Sequence, residues 1–209
     1  MAHIPDGVLS LPVLVGGSVL AAGGLLVSLR SLDETTIPKT AILAAVFFAS
    51  SLVAIPVGPS SVHLLLAGLM GLVIGTLAIP AVLVGLVLQL VMFGFGGLTT
   101  LGVNTVNIAF PGIILAAIAA PLIARSGPTG AMLLAGATAG LAVLSTGGMV
   151  ALSLALSSSD YVPSARILLA TYIPLMIGEA VITGVAVGFI RRVKPELLAA
   201  QRGFGHETA

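Results

Sequence analysis

Long apolar runs, separated by short polar or glycine- and proline-rich breaks, divide the chain into segments near membrane-spanning length. The runs cover residues 8–29, 40–57, 62–77, 81–95, 108–124, 129–156 and 166–190. Because a transmembrane helix needs about 20 mostly apolar residues, the pattern predicts an all-α integral membrane protein with about seven transmembrane helices. The third and fourth runs are short, which leaves six spans as an alternative. We expect a single transmembrane domain over residues 1–209.

The basic side chains fall almost entirely on one side of this predicted topology. Loops one–two and five–six and the segment after the last run hold Arg30, Lys39, Arg125, Arg191, Arg192, Lys194 and Arg202, and only Arg166 lies on the other side. Cytoplasmic loops of membrane proteins are enriched in Lys and Arg. We therefore predict that the amino terminus is outside, that the carboxyl terminus is cytoplasmic, and that residues 191–209 form a cytoplasmic tail.

The composition agrees with a membrane protein and excludes several classes of function. Hydrophobic residues make up 58% of the chain and charged residues 7%, with a mean hydropathy of +1.22, whereas soluble domains carry roughly 25% charged residues. Soluble enzymes are therefore excluded, and a net charge of +1 is too low for a nucleic-acid-binding protein. The absence of Cys excludes thiolate metal sites and Cys nucleophiles.

This topology brings four segments together on the outer face, namely the amino terminus, the turn at 58–61, a Gly/Thr/Asn-rich loop at 96–107 and the loop at 157–164. His3 lies in the first segment and His63 directly follows the second, so we expect the two side chains to face the same site. The remaining histidine, His206, lies in the predicted tail and is expected to be solvated.

The amino terminus offers nitrogen donors that are close in sequence. A free amine, an amide nitrogen and an imidazole can form fused chelate rings around one divalent cation, and such near-planar nitrogen sites suit copper, nickel and cobalt. If Met1 is removed, as is usual before Ala, the peptide from Ala2 to His3 supplies three nitrogens and His63 can supply a fourth. If Met1 is retained, the peptide can supply all four and His63 becomes redundant.

Several stretches together resemble the CbiM/NikM family, the substrate-binding membrane subunits (S components) of energy-coupling-factor cobalt and nickel transporters. The resemblance is carried by HIPDG at 3–7, GPSSVHL at 58–64, LQLVMF at 88–93, GGLTTLGVN at 96–104, GE at 178–179 and KPEL at 194–197. It spans nearly the whole chain. It implies that Co²⁺ or Ni²⁺ is bound as a transported substrate, with no catalytic cofactor.

The resemblance also implies a ligand set near the amino terminus. The ligands are the amine of Ala2 (or of Met1, if Met1 is retained), the amide and imidazole of His3, and His63. The chain stops soon after residues 195–197 without a fused helix pair, which looks more like the cobalt (CbiM) branch. By this resemblance we expect the metal to supply cobalamin synthesis.

Three further side chains are candidates for orienting these ligands, in the way that outer-shell partners tune metal sites. The stretch 96–107 resembles the family's segment that closes over the metal, and it contains Asn104 and Asn107. Asp6 could orient His3. The alternatives are that the two Asn side chains only satisfy loop backbone and that Asp6 interacts with solvent.

An energy source is missing from the sequence. The only Lys followed by Thr, Lys39, is preceded by Ile37 and Pro38 rather than by the glycines of a P-loop. ATP hydrolysis is therefore expected in partner chains, and the chain itself is not expected to be an enzyme. The resemblance implies a transmembrane coupling (T) subunit, two ATPase subunits and a small accessory membrane subunit, in the cytoplasmic (inner) membrane of a bacterium.

Two other functions remain open. A stand-alone secondary metal permease would use Glu179, the lone carboxylate predicted well inside a helix, although the shortage of membrane acids and the absence of detectable inverted repeats count against it. A structural hydrogen bond to Ser, Thr or backbone is the alternative role for Glu179. An intramembrane metal-dependent hydrolase would use His3 and His63, with Asp6 as the general base.

Overall fold

A computed structural model describes residues 3–53, 55–57 and 60–198 of the chain. Within these residues the chain forms helices α1 Leu11–Leu29, α2 Ile37–Ser50, α3 Ala67–Ile74, α4 Ala78–Phe93, α5 Leu101–Arg125, α6 Pro128–Ser157 and α7 Val162–Val193. Strands β1 Ile55–Val57 and β2 Ser60–Val62 form a short antiparallel hairpin in which Ile55 is opposite Val62. Single 3-10 turns cover Gly75–Leu77, Ser159–Tyr161 and Pro195–Leu197.

Five helical stretches of the described chain are long and apolar enough to cross a membrane: Leu11–Leu29, Ala67–Phe93, Leu101–Arg125, Pro128–Ser157 and Ser159–Val193. The prediction of a helical membrane protein is therefore confirmed, whereas the count of seven spans is not. Helix α2 is apolar but has only 14 residues, fewer than the roughly 20 that a bilayer crossing needs.

The stretch Ala67–Phe93 is strongly apolar, yet it is two helices joined by a reversal. The rings of His63 and Phe95 both lie close to the ring of His3, so the chain between them leaves one end of the molecule and returns to it. The reversal occurs at Gly75, whose φ of +57° is a left-handed conformation that glycine adopts readily. Helix α3 has 8 residues, is about 12 Å long, and cannot cross a bilayer alone.

The apolar runs predicted at 40–57 and 62–77 therefore form helices only in part. Helix α2 ends at Ser50, well before the end of the second run, because the following segment contains Pro56, which removes a backbone donor from a helix. The third run begins in extended chain, and its helix starts only at Ala67.

The stretch 96–107, expected to be a loop, is mostly helical, and the prediction is wrong there. Helix α5 begins at Leu101, so Asn104 and Asn107 lie on a helix and are buried. Close packing against α1 explains the difference, because Gly102 lies so near the backbone of Ser18 that any larger side chain would overlap it. Small residues that indicate a loop in a soluble protein here allow two membrane helices to approach.

Helix α3 is held in the bundle by a similar contact with α5. The backbones of Gly71 and Gly112 are so close that a Cβ atom on Gly71 would overlap the Gly112 carbonyl, and a Cβ atom on Gly112 would overlap Ala67. Helices in lipid gain stability from such van der Waals contact. The short helix is thereby fixed beside α5 although it is only two turns long.

The two ends of the helix bundle carry different polar side chains. At one end, called here the histidine end, the Ser10 N–H donates to Ser157 Oγ at 3.1 Å, and His63 approaches the amino-terminal segment. At the opposite end, Arg191 donates to the carbonyl oxygen of Ala124 at 2.5 Å and joins α7 to α5. The amino-terminal segment therefore meets the predicted segments at 157–164 and 96–107, whereas residues 58–59 of the predicted turn lie outside the described residues. The side of the membrane that each end faces stays a prediction.

Candidate metal centre

The two histidines that the sequence places on one face are in direct contact. His3 and His63 bring their Nε2 atoms to 3.0 Å, and their ring centroids are 5.1 Å apart. Both side chains are buried, with 7% of His3 and 3% of His63 exposed. The pair joins the amino-terminal segment to the extended chain before α3.

The hydrogen bonds of this pair define which nitrogens are free to bind a cation. His63 Nδ1 lies 3.0 Å from the carbonyl oxygen of Leu64 and donates to it, so His63 Nε2 carries a lone pair. His3 Nε2–H donates to that lone pair. His3 Nδ1 is then an unprotonated nitrogen, and it is buried without a hydrogen-bond partner among the described residues.

This unpartnered nitrogen suits the predicted chelate. A ring that includes the amide nitrogen of His3 and its own imidazole closes with six members through Nδ1, whereas Nε2 points away from the backbone. The chemistry of the donor set therefore fits a cation bound by His3 Nδ1 and, after the contact between the two rings opens, by His63 Nε2.

Burial keeps both imidazoles in the neutral form that binds metals. It lowers the pKa of His3 to about 3, and repulsion from His63 adds to the effect. Burial also lowers the pKa of His63, opposed by the hydrogen bond to the Leu64 carbonyl. Neither imidazole has to lose a proton at neutral pH before a cation binds.

A row of aromatic rings begins beside His3. The ring of Phe95 lies nearly parallel to His3, at 11° with a centroid distance of 6.5 Å. Phe93 follows at 5.7 Å from Phe95, and Phe48 at 5.8 Å from Phe93. Phe95 therefore presents an apolar face to His3, and Phe93 and Phe48 continue the row away from it.

Asn104 fixes the backbone next to His3. Its side-chain Oδ1 accepts from the N–H of Ile4 at 3.1 Å, and its Nδ2 donates to the Ile4 carbonyl oxygen at 3.1 Å. Thr100 Oγ1 donates to the same carbonyl oxygen at 2.7 Å. One amide side chain on α5 thus pairs with Ile4 as a neighbouring β-strand would, and it orders the residue that follows His3.

Asp6 holds the loop between α4 and α5 rather than the ring of His3. Its carboxylate accepts from the N–H groups of Leu98 at 3.1 Å and Thr99 at 2.9 Å, and from Thr99 Oγ1 at 2.5 Å. The Thr99 hydroxyl is the largest cause that lowers the pKa of Asp6. The ionised carboxylate therefore fastens this loop onto the amino-terminal segment.

Asn107 lies one turn further along α5 and contacts a different partner. Its Nδ2 donates to Ser153 Oγ at 3.3 Å, which joins α5 to α6. Of the three candidates for orienting ligands, the structure therefore places Asn104 beside His3, Asp6 on the adjoining loop and Asn107 in the contact between two helices.

Part of the predicted ligand set lies outside the described residues. Met1 and Ala2 are among these, so the amine of either residue stays a prediction, as does the turn at 58–59. In the described ranges, no group of three or more His, Cys, Asp or Glu side chains could hold a metal ion. The two imidazoles therefore need other donors to complete a site, which is the part that the amine and amide nitrogens are predicted to supply.

The sequence interpretation missed Thr99, Thr100 and Phe95 as neighbours of the site. All three lie in or beside the stretch 96–104 that carries part of the family resemblance. Their role became visible only because α5 begins at Leu101 and turns this stretch towards the amino-terminal segment.

Comparisons with known proteins identify the family. A family model described as the cobalt uptake substrate-specific transmembrane region (CbiM) matches residues 3–197. The chain is 35% identical to a Haemophilus influenzae protein assigned to metal transport, over 97% of this chain and 99% of that one. It is 31% identical to the cobalt transport protein CbiM of Sorangium cellulosum, over 94% of each. It is 28% identical to the fused nickel transport protein NikMN of Rhodobacter capsulatus, over 96% of this chain and 65% of that one.

Solved structures share the fold. A crystal structure of a transition metal transporter superposes with a TM-score of 0.76 at 22% identity and covers 98% of both chains. A truncated transition metal transporter gives a TM-score of 0.63 and covers 90% of this chain and 95% of that one. The chain therefore belongs to the CbiM family and is a multi-pass membrane component of cobalt or nickel transport.

Proposed function

We propose that this chain is the substrate-binding subunit of an ATP-driven importer and captures Co²⁺ or Ni²⁺ at the His3–His63 pair on the outer face. The observation that carries the proposal is the buried contact between the two Nε2 atoms, 3.0 Å apart, beside an unpartnered His3 Nδ1. A buried pair of neutral imidazoles at one end of a membrane bundle suits a divalent transition metal ion.

The ligands are the amine of Ala2, the amide nitrogen and Nδ1 of His3, and Nε2 of His63. His3 and His63 bond to each other, and a bound cation takes the place of that hydrogen bond. Because both imidazoles are already neutral, the protons displaced at neutral pH come from the ammonium group and the amide, about two per ion.

The energy for import comes from partner chains, because the sequence lacks a P-loop. The resemblance to energy-coupling-factor transporters supplies the expected partners: a transmembrane coupling subunit, two ATPase subunits and a small accessory membrane subunit in the bacterial cytoplasmic membrane. In this mechanism the binding subunit topples when ATP is hydrolysed, so that a site at the outer end turns inward.

The contacts of the two carboxylates weigh against the alternative functions. Glu179 Oε1 accepts hydrogen bonds from the backbone N–H groups of Leu65 and Leu66, which supports the structural role for this residue over a coupling role. The Asp6 carboxylate bonds to Leu98 and Thr99, away from the position that a general base beside the two histidines would occupy.

Cobalt is the expected substrate, with nickel as the alternative. The relatives named above include both cobalt and nickel transport proteins. Nitrogen sites bind nickel more tightly than cobalt in the usual order of stability, so affinity alone does not decide which ion is carried in the cell. A cobalt substrate would feed cobalamin synthesis.

The test is a titration of the purified full chain with Co²⁺ and with Ni²⁺ by calorimetry and visible absorption. Mass spectrometry identifies the first residue in the same preparation. We expect one ion per chain, with tight binding lost in His63→Ala and retained in His206→Ala, which removes the histidine of the predicted tail. Wild-type protein that binds neither ion contradicts the proposal, and tight binding that survives His63→Ala contradicts the shared site.

A further inference from the structure

The chain enters α3 through a non-helical stretch, residues 63–66, that is largely buried in the helix bundle. Leu65 and Leu66 are buried, and Leu66 has a φ of +52°, a left-handed conformation that is unfavourable for a side chain of this kind. The first N–H groups of a helix have no partner within it, and the hydrocarbon interior offers no water to replace one. Another group must therefore satisfy the backbone here.

Glu179 supplies that group from α7. Its side chain is 0% exposed, and it lies near the midpoint of the helix. Its Oε1 accepts hydrogen bonds from the N–H of Leu66 at 2.7 Å and from the N–H of Leu65. The other carboxyl oxygen, Oε2, is buried without a hydrogen-bond partner among the described residues, so Oε1 alone holds the two N–H groups.

The stretch that Glu179 holds also orients His63. The Nδ1–H of His63 donates to the carbonyl oxygen of Leu64, and the same oxygen accepts from Ser50 Oγ at 2.8 Å. Ser50 of α2 thus fixes the carbonyl group that sets the tautomer of His63. Glu179 of α7 fixes the two residues that follow this carbonyl. Second partners of this kind commonly govern the affinity of a metal-binding histidine.

We propose that Glu179 is a positioning residue for cation binding: it holds residues 63–66 so that Nε2 of His63 faces His3. The proposal rests on the function proposed above. Helix α7 runs from the histidine end to the end where Arg191 bonds to α5.

Three substitutions at Glu179 separate the effect of side-chain length from that of charge. Glu179→Gln keeps an oxygen at the same distance from the backbone, and this oxygen can accept hydrogen bonds from the N–H groups of Leu65 and Leu66. We therefore expect Co²⁺ and Ni²⁺ affinity within a few-fold of wild type. Glu179→Asp keeps the charge but is one methylene shorter, and Glu179→Leu removes the acceptor. We expect both to weaken binding, with Leu raising the Kd about 10- to 100-fold. Binding in the order Gln above Asp is the predicted signature.

A double substitution tests whether Glu179 acts through His63. If it does, Glu179→Leu combined with His63→Ala binds no more weakly than His63→Ala alone, because the interaction has already been lost. The visible spectrum of the Co²⁺-loaded Glu179→Leu protein should then resemble that of His63→Ala. Thr183→Val is the matched control, since it removes another fully buried polar group from α7 and should leave affinity unchanged.

The outcomes distinguish this proposal from the function on which it rests. Wild-type protein that binds no ion refutes the proposed function. Wild-type binding that is lost in His63→Ala but unchanged in Glu179→Leu refutes only the positioning role. Asp binding better than Gln, or additive losses in the double variant, also refutes it. If the Leu variant does not fold, the order of Gln and Asp still decides.

Discussion

Asn104→Ala is the substitution that most directly tests how the amino-terminal segment is held. The side chain is 2% exposed and makes two hydrogen bonds to Ile4, both at 3.1 Å. Losing it leaves the buried N–H of Ile4 without its partner, which costs about 1–3 kcal/mol, and removes a second bond worth about 1 kcal/mol. The carbonyl oxygen of Ile4 keeps its hydrogen bond from Thr100. The docking of the segment should weaken by about 2–4 kcal/mol.

A tenfold change in Kd corresponds to about 1.4 kcal/mol, so this loss predicts a Kd for Co²⁺ or Ni²⁺ that is roughly 30- to 700-fold higher. Calorimetric titration of the purified chain measures it. Asn107→Ala is the matched control, because Asn107 is also 2% exposed and lies one turn away on the same helix, but bonds to Ser153. We expect its affinity to stay within about threefold of wild type. Equal losses in the two variants would refute the reasoning.

Three further predictions follow from the site and the packing. At neutral pH, cation binding should release about two protons per ion, which calorimetry in buffers of different ionisation enthalpy measures. The affinity for the cation should therefore fall as the pH is lowered. An affinity that is flat from about pH 6 to 8 contradicts the nitrogen site. The hydrogen bonds of Asp6 lower its pKa, so the stability they provide is present above the unfolded value near 4 and is lost as the pH falls through the lowered pKa. Thr99→Val should therefore raise the pKa of Asp6, measured by carboxyl NMR titration, and an unchanged pKa would show that Thr99 is not the main cause. Gly71→Ala places a Cβ atom against the Gly112 carbonyl and should lower the free energy of unfolding by about 1–3 kcal/mol. Thermal unfolding in detergent measures this loss of stability. Gly148→Ala is the control, because a Cβ atom on Gly148 meets only open space. Equal Tm values for the two variants would contradict the close contact between Gly71 and Gly112.

Hydropathy predicted the long helices well, because their apolar length is set by the bilayer itself. The runs at 129–156 and 166–190 correspond to α6 Pro128–Ser157 and α7 Val162–Val193. It failed at 62–77, where the apolar run contains a non-helical stretch before α3. The N–H groups of this stretch need partners inside the bundle, and Glu179, more than 100 residues away, accepts hydrogen bonds from two of them, so a local pattern does not contain that partner.

The pairing of His3 with His63 was predictable from the sequence, since the alternation of spans brings both to the same end. The residues that surround the pair were harder to predict. Asn104 was expected in a loop, and its position on α5 depends on how Gly102 packs against α1. The direction of the Asp6 carboxylate, towards Thr99 rather than His3, likewise depends on a tertiary contact that spacing does not reveal.

In the proposed site one cation is shared between the amino-terminal peptide and His63. X-ray absorption spectroscopy of the wild-type chain loaded with one equivalent of Co²⁺ or Ni²⁺ tests this sharing, because the scattering from outer imidazole atoms counts the coordinated histidines. We expect a first shell of nitrogen atoms with two imidazoles, reduced to one imidazole in any ion that His63→Ala still binds. A shell dominated by oxygen, or a wild-type spectrum with a single imidazole, would contradict it.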